Sequence, residues 1–64
     1  MSTKSPTDVI RALKADGWYE VNCVGSHKQF SHPTKAGRVT VPCSKKDLPK
    51  GTLSSIQRQA GIKF

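Results

Sequence analysis

The sequence predicts an α+β domain with the element order α-β-β-β-α, and three observations lead to this prediction. A capped amphipathic segment opens the chain, three short strand-like segments follow, and a segment with helical apolar spacing closes it. A chain of only 64 residues forms one domain at most, so residues 1–64 are assigned to a single domain with residues 1–4 as a disordered tail. A three-stranded antiparallel sheet with both helices packed on one face would bury Val9, Ile10, Leu13, Leu53 and Ile56.

The first helix is marked at both of its ends. Ser5 is suited to the N-cap, Pro6 to the first helical position, and Asp8 lies three residues after the cap. Gly17 is suited to the left-handed conformation that ends many helices. The apolar side chains spaced for the buried stripe are Val9, Ile10 and Leu13.

Three strands are predicted between the helices. Residues 18–24 are rich in aromatic and β-branched side chains, and residues 38–42 alternate strictly up to Pro42, which stops the strand. Residues 27–32 follow a short turn and have Phe30 as their one large apolar side chain. Alternation along the first strand predicts two faces, with Tyr19, Val21 and Cys23 on one and Trp18, Glu20, Asn22 and Val24 on the other.

The second helix is predicted to begin near residues 48–49 and to run to Ala60. Gly61 is its expected C-terminal stop, and Ile62 can fold back over the last turn. The side chains spaced for its buried face are Leu53, Ile56 and Ala60. With both helices on one face of the sheet, the other face stays open to solvent and to a partner.

The net charge of +7 lies entirely in residues 25–64. Residues 1–24 carry three basic and three acidic side chains, whereas residues 25–64 carry eight basic side chains against Asp47 alone. Lysines on a small domain are often merely solvated, but so one-sided a balance favours binding to a polyanion. Nucleic acid is favoured over a membrane because neither helix pairs a broad apolar face with a dense basic one. The candidate phosphate-binding cations are Lys28, Arg38, Lys45, Lys46 and Lys50.

His27 is the candidate catalytic residue. Because Phe30 must be buried in so small a core, alternation places Lys28 and His32 on the inner face and His27 on the open face. Imidazole can act as a general base or acid near neutral pH, and RNA is a suitable substrate because its 2′-hydroxyl is an internal nucleophile. Such cleavage needs no metal and no cofactor. The alternative interpretation is an ordinary exposed polar side chain.

Other chemistries have weaker support in the sequence. The residues His27, His32, Cys23 and Cys43 could ligate zinc by type, but they lack the usual spacings, so no metal is expected. Two cysteines are too few for a disulfide scaffold, which favours free thiols in a reduced, cytoplasmic protein, with a single Cys23–Cys43 bridge as the alternative. Neither a membrane span nor a secretory signal is visible.

A series of motifs stands in a fixed order along the chain. They are Asp16-Gly17-Trp18-Tyr19, Gly25-Ser26-His27-Lys28-Gln29-Phe30, His32-Pro33, Val39-Thr40-Val41-Pro42, Lys45-Lys46-Asp47-Leu48-Pro49-Lys50-Gly51-Thr52-Leu53, Ile56 and Gln59-Ala60-Gly61. From about Thr7 to Ile62, the series resembles the HicA toxins, also called the YcfA-like family. The resemblance implies a fold like that of a double-stranded-RNA-binding domain.

The same resemblance implies an activity and a partner. It implies an mRNA interferase, a toxin that cleaves RNA and is neutralised by a HicB-type antitoxin from the same operon. The family's catalytic histidine lies in Gly-Ser-His, which corresponds to His27. Many members have His-Pro after the Val-Pro motif, where this chain has Cys43-Ser44. Two alternatives stay open: a non-catalytic double-stranded-RNA-binding module of the same fold, and a structural domain whose basic face docks an acidic protein.

Overall fold

The computed structural model describes residues 4–44 and 46–63. Within them, the elements are α1 (Pro6–Ala15), β1 (Tyr19–Val24), β2 (His27–Ser31), β3 (Val39–Pro42) and α2 (Lys50–Ala60). The strands pair antiparallel in the order β1-β2-β3, and both helices contribute to the core on one face of this sheet. The predicted α-β-β-β-α order is confirmed, and the architecture is that of a double-stranded-RNA-binding-like α+β domain.

The ends of α1 follow the predicted capping pattern. The hydroxyl of Ser5 accepts a hydrogen bond from the Asp8 amide at 3.2 Å, which satisfies one of the free amides of the first turn. Gly17 follows the C-cap with a φ of 104°. A Cβ at this position would lie 2.8 Å from Nε2 of His32, so both the backbone angle and the close approach require glycine.

The core is a single layer between the helices and the inner face of the sheet. Ile10 and Ile62 are partly buried and pack against this layer, so Ile10 lies at its margin and not inside it. Burial of one large apolar side chain contributes about 1.5–3 kcal/mol, so this layer dominates the stability of the domain. The buried apolar side chains of the described residues are Val9, Leu13, Trp18, Phe30, Val39, Val41, Leu48, Leu53, Ile56 and Ala60.

The first strand contains a β-bulge. Glu20 lies opposite Phe30, but the next register pair is Asn22 opposite Gln29, so Val21 is an extra residue without a cross-strand partner. A bulge shifts the alternation of side chains by one position. The face on which each β1 residue lies therefore follows from its cross-strand partner in β2 and not from simple alternation along β1.

The bulge overturns the predicted faces of β1. Tyr19 lies on the open face before the bulge, and Asn22 and Val24 lie on that same face after it. Cys23 instead joins Glu20 on the face that carries the helices. The predicted grouping of Tyr19 with Cys23, and of Glu20 with Asn22 and Val24, is wrong because one inserted residue reverses the alternation.

The second helix ends as predicted and begins close to the predicted position. Gly61 has a φ of 70°, and the amides of Gly61 and Ile62 both donate to the Gln57 carbonyl, at 2.8 and 3.2 Å. At the other end, Pro49 is the N-cap and provides no side-chain hydrogen bond. No helix within the described residues is long and apolar enough to cross a membrane.

The N-terminal segment contacts the connector between β3 and α2. The amide of Leu48 donates to the Lys4 carbonyl at 2.8 Å, and the two residues form an isolated antiparallel bridge. Lys4 is therefore paired, in contrast to the prediction that it belongs to a disordered tail. The rest of that segment, residues 1–3, lies outside the described residues.

Candidate functional site

His27 is the first residue of β2, and its side chain is exposed on the open face of the sheet, as predicted. It lies opposite Val24 of β1 and Pro42 of β3, so aliphatic side chains flank it on both sides. Val24 is 58% exposed, which leaves the surface beside the imidazole accessible. Among the described residues, none forms a hydrogen bond or ion pair with the His27 ring. The ring is thus available to exchange a proton with a bound molecule.

Arg38 is the predicted cation that shares this face with His27. Its Nη1 donates to Oε1 of Gln29 at 3.1 Å, and Gln29 lies two residues after His27 along β2. Two residues of a strand span about 7 Å, so the guanidinium is held a short distance from the imidazole. One donor is used by Gln29, and the other guanidinium N–H groups can bind a phosphate.

Lys28 lies on the opposite face of the sheet from His27. Its Nζ is 3.8 Å from Oε1 of Glu20, and both side chains are more than one-third exposed. An exposed ion pair of this kind contributes only about 0–1 kcal/mol. Lys28 is therefore separated from His27 by the sheet itself.

Lys46 and Lys50 lie where the chain passes from β3 into α2, and both are exposed. Because Pro42 is the cross-strand neighbour of His27, this connector leaves the sheet beside the candidate site. The first turn of α2 has no acidic side chain to offset the positive end of the helix dipole. Lys45, the remaining predicted cation, lies outside the described residues.

At position 43, the resemblance noted in the sequence leads to the expectation of a histidine, and this chain has Cys43. Its amide donates to the Ser26 carbonyl at 2.6 Å, and its side chain is partly buried and packs against the core. Position 43 therefore faces the helices, whereas His27 faces the open side. Cys43 and Cys23 are both free thiols, so the alternative of a disulfide between them is not formed.

His32 has a structural role that its bonding partners define. Its Nδ1 accepts hydrogen bonds from the backbone amides of Thr34 and Lys35, at 3.1 and 3.2 Å. Since these amides can only donate, the ring hydrogen is on Nε2, which donates to the Asp16 carbonyl at 2.7 Å. The ring also contacts Trp18 edge-on, with centroids 5.1 Å apart. Both nitrogens are engaged, so His32 is not available for chemistry.

Lys35 is a basic residue whose role the sequence did not reveal. Its Nζ donates to Oδ2 of Asp16 at 2.7 Å and to the Ala60 carbonyl at 3.1 Å. The hydrogen bond from Lys35, together with its positive charge, lowers the pKa of Asp16 below its ordinary value of 3.8. Lys35 thus joins the loop after β2 to the C-terminal ends of both helices. No local pattern in the sequence indicates this long-range contact.

The described residues contain no cluster of three or more His, Cys, Asp or Glu side chains arranged to hold a metal ion. His27 and His32 lie on opposite faces of the sheet, which agrees with their predicted placement. Of the predicted site residues, the structure brings His27 and Arg38 onto one face. Lys46 lies on the connector that begins at the edge of this face, and Lys50 is the first residue of α2.

The fold and this surface define a small α+β domain of the double-stranded-RNA-binding type whose open sheet face carries a histidine and a cation. The family model described as the HicA toxin of bacterial toxin–antitoxin matches residues 6–62, which is nearly the whole chain. The chain therefore belongs to the HicA toxin family. Its role is that of a toxin in a toxin–antitoxin system, which implies an antitoxin as its partner. No curated protein matches the sequence.

Proposed function

We propose that this toxin is an mRNA interferase, a metal-independent endoribonuclease in which His27 acts as the general base or acid. The observation that carries the proposal is the position of His27, exposed on the sheet face that the helices leave uncovered. The membership of the HicA toxin family supports the toxic role of the chain. The other histidine, His32, is held by backbone groups at both ring nitrogens, which leaves His27 as the reactive imidazole.

The proposed reaction uses the 2′-hydroxyl of RNA as the nucleophile. His27 accepts the hydroxyl proton as the oxygen attacks the adjacent phosphorus, and the bond from phosphorus to the 5′-oxygen breaks. The leaving oxygen takes up a proton, so the products are a 2′,3′-cyclic phosphate and a free 5′-hydroxyl. The Arg38 guanidinium, held on the same face by Gln29, stabilises the negative charge that develops on the phosphate.

The remaining cations are proposed to hold the RNA away from the cleaved bond. Lys46 and Lys50, together with Lys45, lie after the end of β3 and would bind phosphates along the continuing strand. Lys28 lies on the other face of the sheet beside Glu20. Its proposed contact with RNA is therefore limited to a phosphate that passes the edge of the sheet.

The proposed partner is a HicB-type antitoxin that covers the His27 face and blocks the access of RNA. The exposed Val24 beside His27 suits an apolar contact, and Arg38 suits an acidic side chain of the antitoxin. A complex in which His27 stayed fully accessible would contradict this mode of inhibition.

The second candidate function is a double-stranded-RNA-binding module without catalytic activity. One observation favours it: the cross-strand neighbours of His27, Val24 and Pro42, carry no titratable group that could serve as the second acid or base. The fold itself is compatible with binding to duplex RNA through shape and phosphate contacts. Binding of RNA without any cleavage would support this candidate.

Cleavage of labelled RNA in the presence of EDTA tests the proposed function. Wild-type protein is expected to cleave, and His27→Gln is expected to lose about 100- to 10,000-fold in rate, the usual contribution of a general base. Equal melting temperatures of the two proteins would show that the lower cleavage rate comes from the missing imidazole and not from unfolding. Equal cleavage by the two proteins, or growth inhibition that is unchanged in His27→Ala, would overturn the assignment of His27.

A further inference from the structure

The open face carries an aromatic side chain that contributes little to the core. Tyr19 is 51% exposed, whereas the other aromatic side chains of known burial, Trp18 and Phe30, are 2% and 0% exposed. Tyr19 lies opposite Ser31, at the end of β2 that is farther from His27. The four residue steps along β2 from His27 to Ser31 span about 13 Å. Tyr19 and His27 thus lie at opposite ends of one sheet face.

The surface between Tyr19 and His27 has a composition suited to a nucleic acid. Arg38 and its partner Gln29 lie between the two ends, and the remaining side chains offer hydroxyl and amide groups. Among the paired strand residues, the one acidic side chain is Glu20, and it lies on the helix face opposite Phe30. The polar side chains of the face are Asn22, Gln29, Ser31, Arg38 and Thr40.

We infer that Tyr19 is a base-stacking residue and that this face binds unpaired RNA, a proposal that rests on the proposed RNA cleavage. The RNA lies along β2, with one base on the Tyr19 ring, a phosphate or base at Arg38 and the cleaved phosphate at His27. An exposed aromatic ring can stack only on a base that is not enclosed in a duplex. The distance along β2 separates the stacked base from the nucleotide that is cleaved, so Tyr19 positions the substrate and does not take part in the chemistry.

We favour RNA over a protein as the ligand of this face because the face combines an aromatic ring, a guanidinium group and side-chain amides. A tyrosine ring and a guanidinium plane both stack on bases, and the amides of Asn22 and Gln29 can bind base edges. The chain's excess of positive charge complements a phosphate backbone. An acidic protein segment would use the charge of Arg38, whereas RNA uses both this charge and the flat face of the Tyr19 ring.

The inference is tested by RNA binding in a His27→Ala background, in which the probe stays intact. The probes are a labelled single-stranded RNA and the same RNA annealed to its complement, and fluorescence anisotropy gives the affinities. Tyr19→Ala is expected to weaken binding of the single strand by about 5- to 100-fold, the usual effect of losing one stacking contact. Tyr19→Phe keeps the ring and is expected to bind within about twofold of the parent. Val21→Ala, on the same strand and also exposed, is the matched control.

The outcomes separate this inference from the proposed function. Unchanged binding in Tyr19→Ala, tighter binding of the duplex, or no binding of either probe at low salt would each overturn the inference. If Tyr19→Ala weakened binding of the antitoxin but not of RNA, the face would be assigned to a protein partner. This result would also overturn the inference. Cleavage by the wild-type protein is measured separately, so a failure of the proposed cleavage can be told apart from a failure of the proposed stacking on Tyr19. Melting temperatures within a few degrees of the parent show that Tyr19→Ala is folded.

Discussion

The Nε2 atom of His32 lies 2.7 Å from the carbonyl oxygen of Asp16, and this contact joins the end of β2 to the C-cap of α1. The other ring nitrogen of His32 accepts from two amides of the following loop. The chain thus has two histidines with opposite roles. His32 organises the backbone, and His27 is exposed to the solvent with no such partners.

The two histidines are expected to differ in their effect on stability. His32→Ala leaves two loop amides and one carbonyl without partners and removes the ring that Trp18 contacts. A loss of about 2–4 kcal/mol in the free energy of unfolding is expected, against less than about 0.5 kcal/mol for His27→Ala. Urea denaturation of the two variants checks this difference. Similar losses in both would contradict the structural role of His32.

Gly17→Ala is expected to destabilise the domain. The positive φ at Gly17 disfavours a side chain, and the added Cβ would meet the His32 ring at 2.8 Å, so the cost is about 1–3 kcal/mol. Gly51→Ala is the matched control, because a Cβ at Gly51 meets no atom within 4 Å and the residue lies in α2. Thermal melts should show a lower midpoint for Gly17→Ala and an unchanged or higher midpoint for Gly51→Ala. The reverse order would exclude the close approach of His32 to Gly17.

The stability of the domain is expected to fall in acid through Asp16. The hydrogen bond from Lys35 lowers the pKa of Asp16 below its ordinary value of 3.8. A lowered pKa in the folded state means that this contribution is fully present above about pH 4 and is lost as the pH falls through the folded-state pKa. Melting temperatures measured from pH 6 to pH 2 should decline less steeply in Asp16→Asn than in the wild type.

Lys35→Met provides the complementary test of this ion pair. It removes the donor and keeps most of the side-chain length, so it should flatten the same part of the pH profile. The double variant Asp16→Asn/Lys35→Met should then add little to either single change. Fully additive effects would show that Asp16 and Lys35 stabilise the fold independently.

Cys43→His is expected to leave the cleavage rate nearly unchanged. The side chain at position 43 packs toward the core, on the opposite side of the sheet from His27. A larger polar side chain in this partly buried place should cost about 1–3 kcal/mol of stability. Cleavage assays and melting curves on the same samples check both expectations. A rate increase of tenfold or more would show that position 43 reaches the reacting groups.

The elements could be predicted from the sequence because their signals are local. Ser5, Gly17 and Gly61 mark helix ends by properties of their own backbone and side chains. The face of His27 was also predictable, since burial of Phe30 fixes the alternation of a strand that has no bulge. The bulge at Val21 was not predictable, because it is defined by the register between two strands.

For the basic residues, only the total excess of positive charge could be predicted, and not the role of each side chain. The sequence shows an excess of positive charge but not which lysines the fold itself uses. Lys28 pairs with Glu20 on the helix face, and Lys35 binds Asp16 and the end of α2. These pairings depend on contacts between distant segments. Likewise, the hydrogen bond from Arg38 to Gln29, which composition does not indicate, holds Arg38 on the face that carries His27.

A single sheet separates the side chains that fold this protein from those proposed to act on RNA. Phe30 and Val41 point into the core, while their immediate neighbours in sequence point away from it. Stability and toxicity can therefore change independently through single substitutions. We expect a chain that lacks His27, the proposed catalytic residue, to fold and to compete with intact copies for the antitoxin.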